Sequence, residues 1–128
     1  MVKQQGVTKF NGVVLQEHEL KTVVFLNLKG FNVELIKPSR KRGVRTPDLK
    51  MNGIKWEMKA PKGKGEYEIQ QIFKRALRQA PNVIFDLRRS KLHQAKAVAQ
   101  IERNFKLDRR AKRVIIITKS RKVLDLAK

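Results

Sequence analysis

Helical and strand-like apolar spacings alternate along this 128-residue chain. That alternation predicts an α/β fold, a mixed central sheet with flanking helices in the order αβββαβαβ. Two observations carry the prediction. Asn52-Gly53 is the preferred pair for a two-residue hairpin turn. The runs NVIFDL (82–87) and RVIIIT (113–118) are short, apolar and bounded by turn or charged residues, as buried strands are. A composition that is 41% hydrophobic supplies one core and not two.

The elements follow in chain order. Residues 1–13 show no clear period and are expected to form a loosely ordered lead-in, with a single domain over 14–128. From Gln16 to Lys29, Leu20, Val23, Val24, Phe25, Leu26 and Leu28 follow mostly helical spacing, and Gly30 supplies the stop. Phe31, Val33 and Leu35 then alternate with Asn32 and Glu34 until Pro38, a strand signal. The segment SRKRGVRT is a basic loop. TPDLKMNGIKWEMKA (46–60) reads as a β-hairpin, and PKGKGE as the loop after it. Ile69, Ile72, Phe73, Ala76, Leu77 and Ala80 form one helical stripe closed by Pro81. Strand NVIFDL, a helix from about Lys91 to Lys106 and strand RVIIIT complete the chain.

Thirty-one Lys and Arg against eleven Asp and Glu give a formal charge of +20, spread over the whole length. Such a field draws polyanions: nucleic acid, an anionic membrane or an acidic protein. No stretch is long and apolar enough to span a bilayer, and the first ten residues lack the apolar core of a signal peptide, so a soluble chain without stable membrane insertion is expected. With no cysteine and only His18 and His93, any metal has to be held by carboxylates, which favours Mg²⁺ or a similar hard ion.

The hairpin turn fixes a register. With Asn52 and Gly53 at the turn, 51 faces 54, 50 faces 55, 49 faces 56 and 48 faces 57. Asp48, Lys50, Lys55, Glu57 and Lys59 then share one face, and Leu49, Met51, Ile54, Trp56 and Met58 the other. Facing Cβ atoms lie about 4.5 to 5.5 Å apart, so the Asp48 and Glu57 carboxylates can ligate one cation and repel each other without it. Lys59, on the same face, can reach an attacking water or the charge developing on a phosphate. The competing account is a solvated hairpin face on which Lys50 and Lys55 neutralise the acids.

Pro47-Asp48, eight intervening residues and then Glu57-Met58-Lys59 resemble the PD-(D/E)xK nuclease signature. Within that group the chain looks most like the tRNA nuclease type of C-terminal toxin domain found in bacterial contact-dependent growth inhibition (CdiA) proteins. The likeness runs over roughly residues 15 to 125, through NGIKWEMKAP, the segment ending in NVIFDL, the basic helix after it and RVIIIT. The resemblance implies a restriction-endonuclease-like fold and a metal-dependent endonuclease with Asp48, Glu57 and Lys59 as its catalytic core. Asp48 and Glu57 would be the metal ligands, for Mg²⁺ first and Mn²⁺ or Zn²⁺ as alternatives. It adds Glu19, on the first helix, as a further acid at the site; an exposed helix acid is the plainer account. Gln70 or Gln71 would approach the phosphate, although an exposed polar helix face also explains them. It further implies tRNA as substrate with DNA as the rival, release from a large secreted or cell-surface effector, action in the cytoplasm of a target cell, and a cognate, acidic immunity protein.

Lys62, Lys64 and Arg88 belong to basic clusters suited to phosphate contacts, as do Arg40 to Arg42 and Arg109 to Arg113. Trp56 falls on the apolar face and is expected in the core. Asp86 is expected to hydrogen-bond a helix terminus, and neither histidine is given a role. A non-catalytic nucleic-acid-binding module would also carry this charge, but with 6% aromatic residues and no interleaved aromatic and basic strand the sequence shows no stacking platform. A membrane-active basic protein is the third class, disfavoured because the sheet needs the helices' apolar faces as cover.

Overall fold

A computed structural model describes residues 4–65 and 67–128. In chain order the elements are β1 (Thr8–Lys9), α1 (Glu17–Leu28), β2 (Val33–Leu35), β3 (Leu49–Met51), β4 (Ile54–Lys59), α2 (Glu68–Ala76), β5 (Asn82–Asp86), α3 (Gln94–Leu107), β6 (Arg113–Ile117) and β7 (Val123–Ala127). The seven strands form one mixed sheet whose spatial order follows the sequence. β4, β5 and β6 run parallel, β1 runs parallel to β2, and the remaining neighbours are antiparallel.

Local chemistry sets the boundaries. The Gln16 backbone N–H donates to the Glu19 carboxylate at 2.9 Å, closing the start of α1. Gly30, at φ 93°, ends that helix in a conformation open to glycine. The β3–β4 turn places Asn52 at φ 52° and Gly53 at φ 75°, the left-handed pair that a tight hairpin requires. The pairs Leu49 with Trp56, Lys50 with Lys55 and Met51 with Ile54 match the register that the turn implies.

The parallel strands are joined through α2 and α3. Ile69 and Phe73 of α2 and Ile101 of α3 pack on Val83, Phe85, Val114 and Ile116. Val23, Phe25 and Leu26 of α1 pack with Leu49, Met51, Trp56, Ile84 and Ile115. Alternate residues of β5 and β6 therefore feed two cores, which is why Val83 to Phe85 and Val114 to Ile117 are all apolar and fully buried, with polar residues only at the strand ends Asn82, Asp86 and Arg113. Among the described residues no helix is long and apolar enough to cross a membrane.

Two strands lie outside the expected order. The sheet begins at Thr8, ahead of Val14: the Gly6 N–H donates to the Asn27 carbonyl at 2.8 Å, Val7 to the Asn32 side chain at 2.9 Å, and Val33 returns to Val7 at 2.9 Å. Two strand residues held by backbone and asparagine contacts leave no apolar period to detect. At the other end, β7 pairs with β6 along its length and turns Leu124 and Leu126 toward the α2–α3 core. α2 stops at Ala76 and gives way to a turn at 77–79, short of Ala80, and α3 starts at Gln94 rather than near Lys91.

Candidate active site

Asp48 immediately precedes β3 and stays in hairpin pairing. Its N–H donates to the Trp56 carbonyl at 3.0 Å, and its own carbonyl accepts the Ile36 N–H at 2.9 Å. Its side chain crosses to the partner strand, where Oδ2 accepts the Met58 N–H at 2.8 Å. That bond holds the carboxylate beside Glu57.

Glu57 is 5% exposed despite carrying a carboxylate in a strand whose neighbours Lys55 and Lys59 remain accessible. The cause is β5: Glu57 pairs with Val83 and Lys59 with Phe85, both members of the core beneath α2 and α3. One carboxylate oxygen, Oε2, meets the Lys59 ammonium at 3.2 Å. The other, Oε1, is buried and receives no N–H or hydroxyl donor among the described residues, and the neighbouring Asp48 carboxyl can bond Glu57 only through a shared proton. Burial, and then the charge of Asp48, push the Glu57 carboxyl up to about 7, with Lys59 pulling the other way. Asp48 is also raised, by burial first, against the opposing pull of the Met58 N–H and of Lys59. Two carboxyl groups are thus held together in a partly dry place with one lysine.

Glu19 contributes at longer range. Its negative charge adds, as the smallest of the causes, to the rise of Asp48, while its carboxylate caps its own helix at Gln16. Glu17 instead forms an exposed pair with Lys21 at 3.3 Å. Among the described residues no three histidine, aspartate or glutamate side chains converge as a metal cluster. The donor set is therefore two carboxylates, with one buried oxygen that receives no N–H or hydroxyl donor among the described residues. This suits a hard ion that takes one or two carboxylates and fills its other positions with water and substrate phosphate.

The remaining predicted positions separate. Lys62 and Lys64 are exposed on the loop after β4, and Gln71 is exposed on α2. Gln70 lines a groove of about 260 Å³ with Tyr67, Gln100, Arg103, Asn104 and Leu107, between α2 and α3. Arg88 folds inward. It engages both oxygens of Asp86, with its shortest contact at 2.8 Å, donates to the Lys21 carbonyl at 2.9 Å and lies over the Phe25 ring at 4.6 Å. Asp86 also accepts the Thr22 hydroxyl at 2.7 Å. Burial alone would raise the Asp86 carboxyl, but the Arg88 and Thr22 hydrogen bonds hold it below the ordinary carboxylate range. This node ties α1 to the end of β5, so the hydrogen bond expected of Asp86 reaches a helix side chain and an arginine. Beside it, the Arg89 Nε donates at 2.7 Å to the carbonyl of Ala60, the residue after Lys59. A cavity of about 200 Å³ lies there, lined by His18, Lys21, Ala60, Asp86, Arg88 and Arg89. No spacing in the sequence announces it, because its lining comes from three distant segments.

The fold has a counterpart among solved structures. A CdiA-CT/CdiI toxin and immunity complex from Burkholderia pseudomallei contains a chain that matches with a TM-score of 0.74 and 20% identity, over 96% of this chain and 100% of that one. No curated protein sequence matches. Residues 45–123, from just before Asp48 to the first residue of β7, match the model of the contact-dependent growth inhibition CdiA C-terminal domain. The matched span covers more than half of the chain and includes Asp48, Glu57 and Lys59, and the chain belongs to that CdiA C-terminal domain family.

Proposed function

We propose that the chain is a metal-dependent endonuclease toxin of the PD-(D/E)xK type that cleaves RNA, with tRNA the favoured substrate. One observation carries the reading: Glu57 is a buried carboxylate forced against Asp48, with Oε2 paired to Lys59 at 3.2 Å and Oε1 given no N–H or hydroxyl donor among the described residues. A purely structural face would leave such acids in solvent or pair them fully. Asp48 and Glu57 would hold a divalent ion, Mg²⁺ or Mn²⁺ more readily than Zn²⁺, whose usual sites use nitrogen and sulfur donors. When bound, that ion supplies Lewis acidity toward the phosphate and a more acidic water.

The chain's own groups do the rest. The Met58 N–H fixes the Asp48 carboxylate, and Glu57 fixes the Lys59 ammonium. Lys59 then stands where it positions the attacking water or offsets the charge that develops on the phosphate. Glu19 acts at a distance, adding negative potential that favours a cation at Asp48. Lys62 and Lys64 lie exposed on the neighbouring loop for phosphate contact, and the +20 charge draws the polyanion in.

Family membership supports release from the C-terminus of a large cell-surface effector and action in the cytoplasm of the target cell. The Burkholderia pseudomallei complex supports a cognate immunity protein. For a +20 chain that partner is acidic and associates quickly and with strong dependence on salt. DNA is the rival substrate, since the same groups hydrolyse either backbone. Purified protein incubated with total tRNA and with plasmid DNA, each with Mg²⁺ and with chelator, separates the readings. Discrete metal-dependent tRNA fragments support the proposal. Cleavage of plasmid alone moves the substrate to DNA, and intact tRNA and plasmid after long incubation refute the nuclease.

A further inference from the structure

The cavity at Ala60 is lined by the cations Lys21, Arg88 and Arg89, and the one carboxylate in its wall is already paired. Asp86 is held by both arms of the Arg88 guanidinium and by the Thr22 hydroxyl, so it adds little negative potential to the opening. Arg88 in turn is fixed by the Lys21 carbonyl and the Phe25 ring and forms a rigid wall. Arg89 is exposed and donates its Nε to the Ala60 carbonyl, and its two terminal amino groups have no hydrogen-bond partner among the described residues. Among the described residues the Lys21 ammonium makes an exposed pair with Glu17 at 3.3 Å, which solvent screens and an anion readily displaces. His18 completes the rim from the first turn of α1. About 200 Å³ accommodates a phosphate and its waters, while the lining offers no Phe, Tyr or Trp face to a stacked base.

Resting on the nuclease reading above, the geometry points to this cavity as the subsite for a backbone phosphate flanking the scissile one. Lys21 and Arg89 bind that phosphate, and Arg88 is a positioning residue. Its position follows from the fold: His18 and Lys21 flank Glu19, whose charge reaches Asp48, and Arg89 bonds the carbonyl of Ala60 just past the end of β4, so the cavity lies on the α1 side of the same sheet end that carries the carboxylate pair. The Arg89 contact also links occupancy of the subsite to the end of β4. The subsite therefore sets where along the strand the cut falls.

Charge interference tests this. An RNA oligonucleotide cleaved at one place is made with a neutral methylphosphonate at each flanking linkage in turn, and kcat/KM is measured with Mg²⁺. In the parent protein one flanking position loses about tenfold on neutralisation, the size of a lost charged hydrogen bond. In Lys21→Ala and Lys21→Glu the same neutralisation costs less than about twofold, whereas Lys96→Ala, on an exposed face of α3, keeps the parent's sensitivity. Equal sensitivity in the Lys21 variants and the parent, or no sensitive position in the parent, overturns the subsite. If no RNA is cleaved at all, the nuclease reading fails instead. Fluorescence polarisation of the same labelled oligonucleotides in chelator then decides the subsite by the same comparison, with one discriminating position supporting it and none overturning it.

Discussion

Replacing Glu57 with glutamine should stabilise the metal-free protein, and the gain should depend on pH. Glu57 has an ordinary value of 4.5 that the fold pushes up to about 7, so the folded state binds this proton more tightly than the unfolded state. The carboxyl is neutral in both states below pH 4.5 and costs nothing there. Stability is lost as pH rises from 4.5 to 7 and stays lost above it. Each pKa unit corresponds to about 1.4 kcal/mol, which gives about 3 kcal/mol by pH 8. Part of that belongs to the repulsion shared with Asp48, so about 2 kcal/mol is the expected gain for Glu57→Gln. The amide keeps an acceptor for Lys59 and brings a donor to the Asp48 side. For a chain of this size about 2 kcal/mol raises Tm by roughly 6–10 °C. Thermal unfolding in chelator at pH 5 and pH 8, for parent and variant, measures it. Mg²⁺ should raise the parent's Tm at pH 8 and leave the variant's nearly unchanged. A variant no more stable than the parent at pH 8, or equally stabilised at pH 5, would refute the argument that ionisation of Glu57 strains the fold.

Three further outcomes follow from other parts of the structure. Lys59→Met should lower kcat by about 10² to 10³-fold with little change in KM, the loss typical of removing one group that stabilises developing charge; an equal rise in KM would assign Lys59 to substrate binding. Asp86→Asn should cost about 2 kcal/mol or more in urea unfolding near neutral pH, because the half-buried Arg88 loses its counter-charge. Since Asp86 is depressed, its stabilisation is present above the ordinary carboxylate range and disappears as pH falls through the folded value, so parent and variant should converge in acid. Gly6→Ala should detach β1, because a Cβ there would run into the Phe31 carbonyl; hydrogen exchange should accelerate at Gly6 and Val33 while β5 and β6 stay protected.

The central hairpin was legible because its turn chemistry admits one register. Asn52-Gly53 at positive φ sets the pairing as far as Leu49 with Trp56, which leaves the Asp48 side chain beside Glu57, and alternation then divides the charged face from the apolar one. β5 and β6 were legible because burial on both faces makes their centres, Val83 to Phe85 and Val114 to Ile117, apolar at every position. The depth of Glu57 was not. A strand alternating charged and apolar residues reads as half solvated, and only the parallel pairing to Val83, with α2 above, closes the charged side near Glu57 while leaving Lys55 open. The Asp86, Thr22 and Arg88 node joins residues 64 positions apart, a separation that no local pattern encodes. For the same reason Arg88, grouped by sequence with phosphate-binding cations, turns out to spend its guanidinium inside the fold. β1 depends on asparagine side chains bonding backbone, and β7 on a half-exposed edge, so neither has a strong apolar signature.

The most direct measurement compares cleavage of total tRNA by the parent and by Asp48→Asn, a variant that keeps an acceptor for the Met58 N–H and loses the charge. Both would be assayed at equal folded concentration, across a Mg²⁺ titration and in chelator. The account predicts discrete fragments from the parent that require Mg²⁺, and loss of nearly all of that activity in Asp48→Asn with its fold intact. Undiminished cleavage by the variant, or cleavage by the parent that persists in chelator, would contradict a carboxylate-held metal site at Asp48 and Glu57.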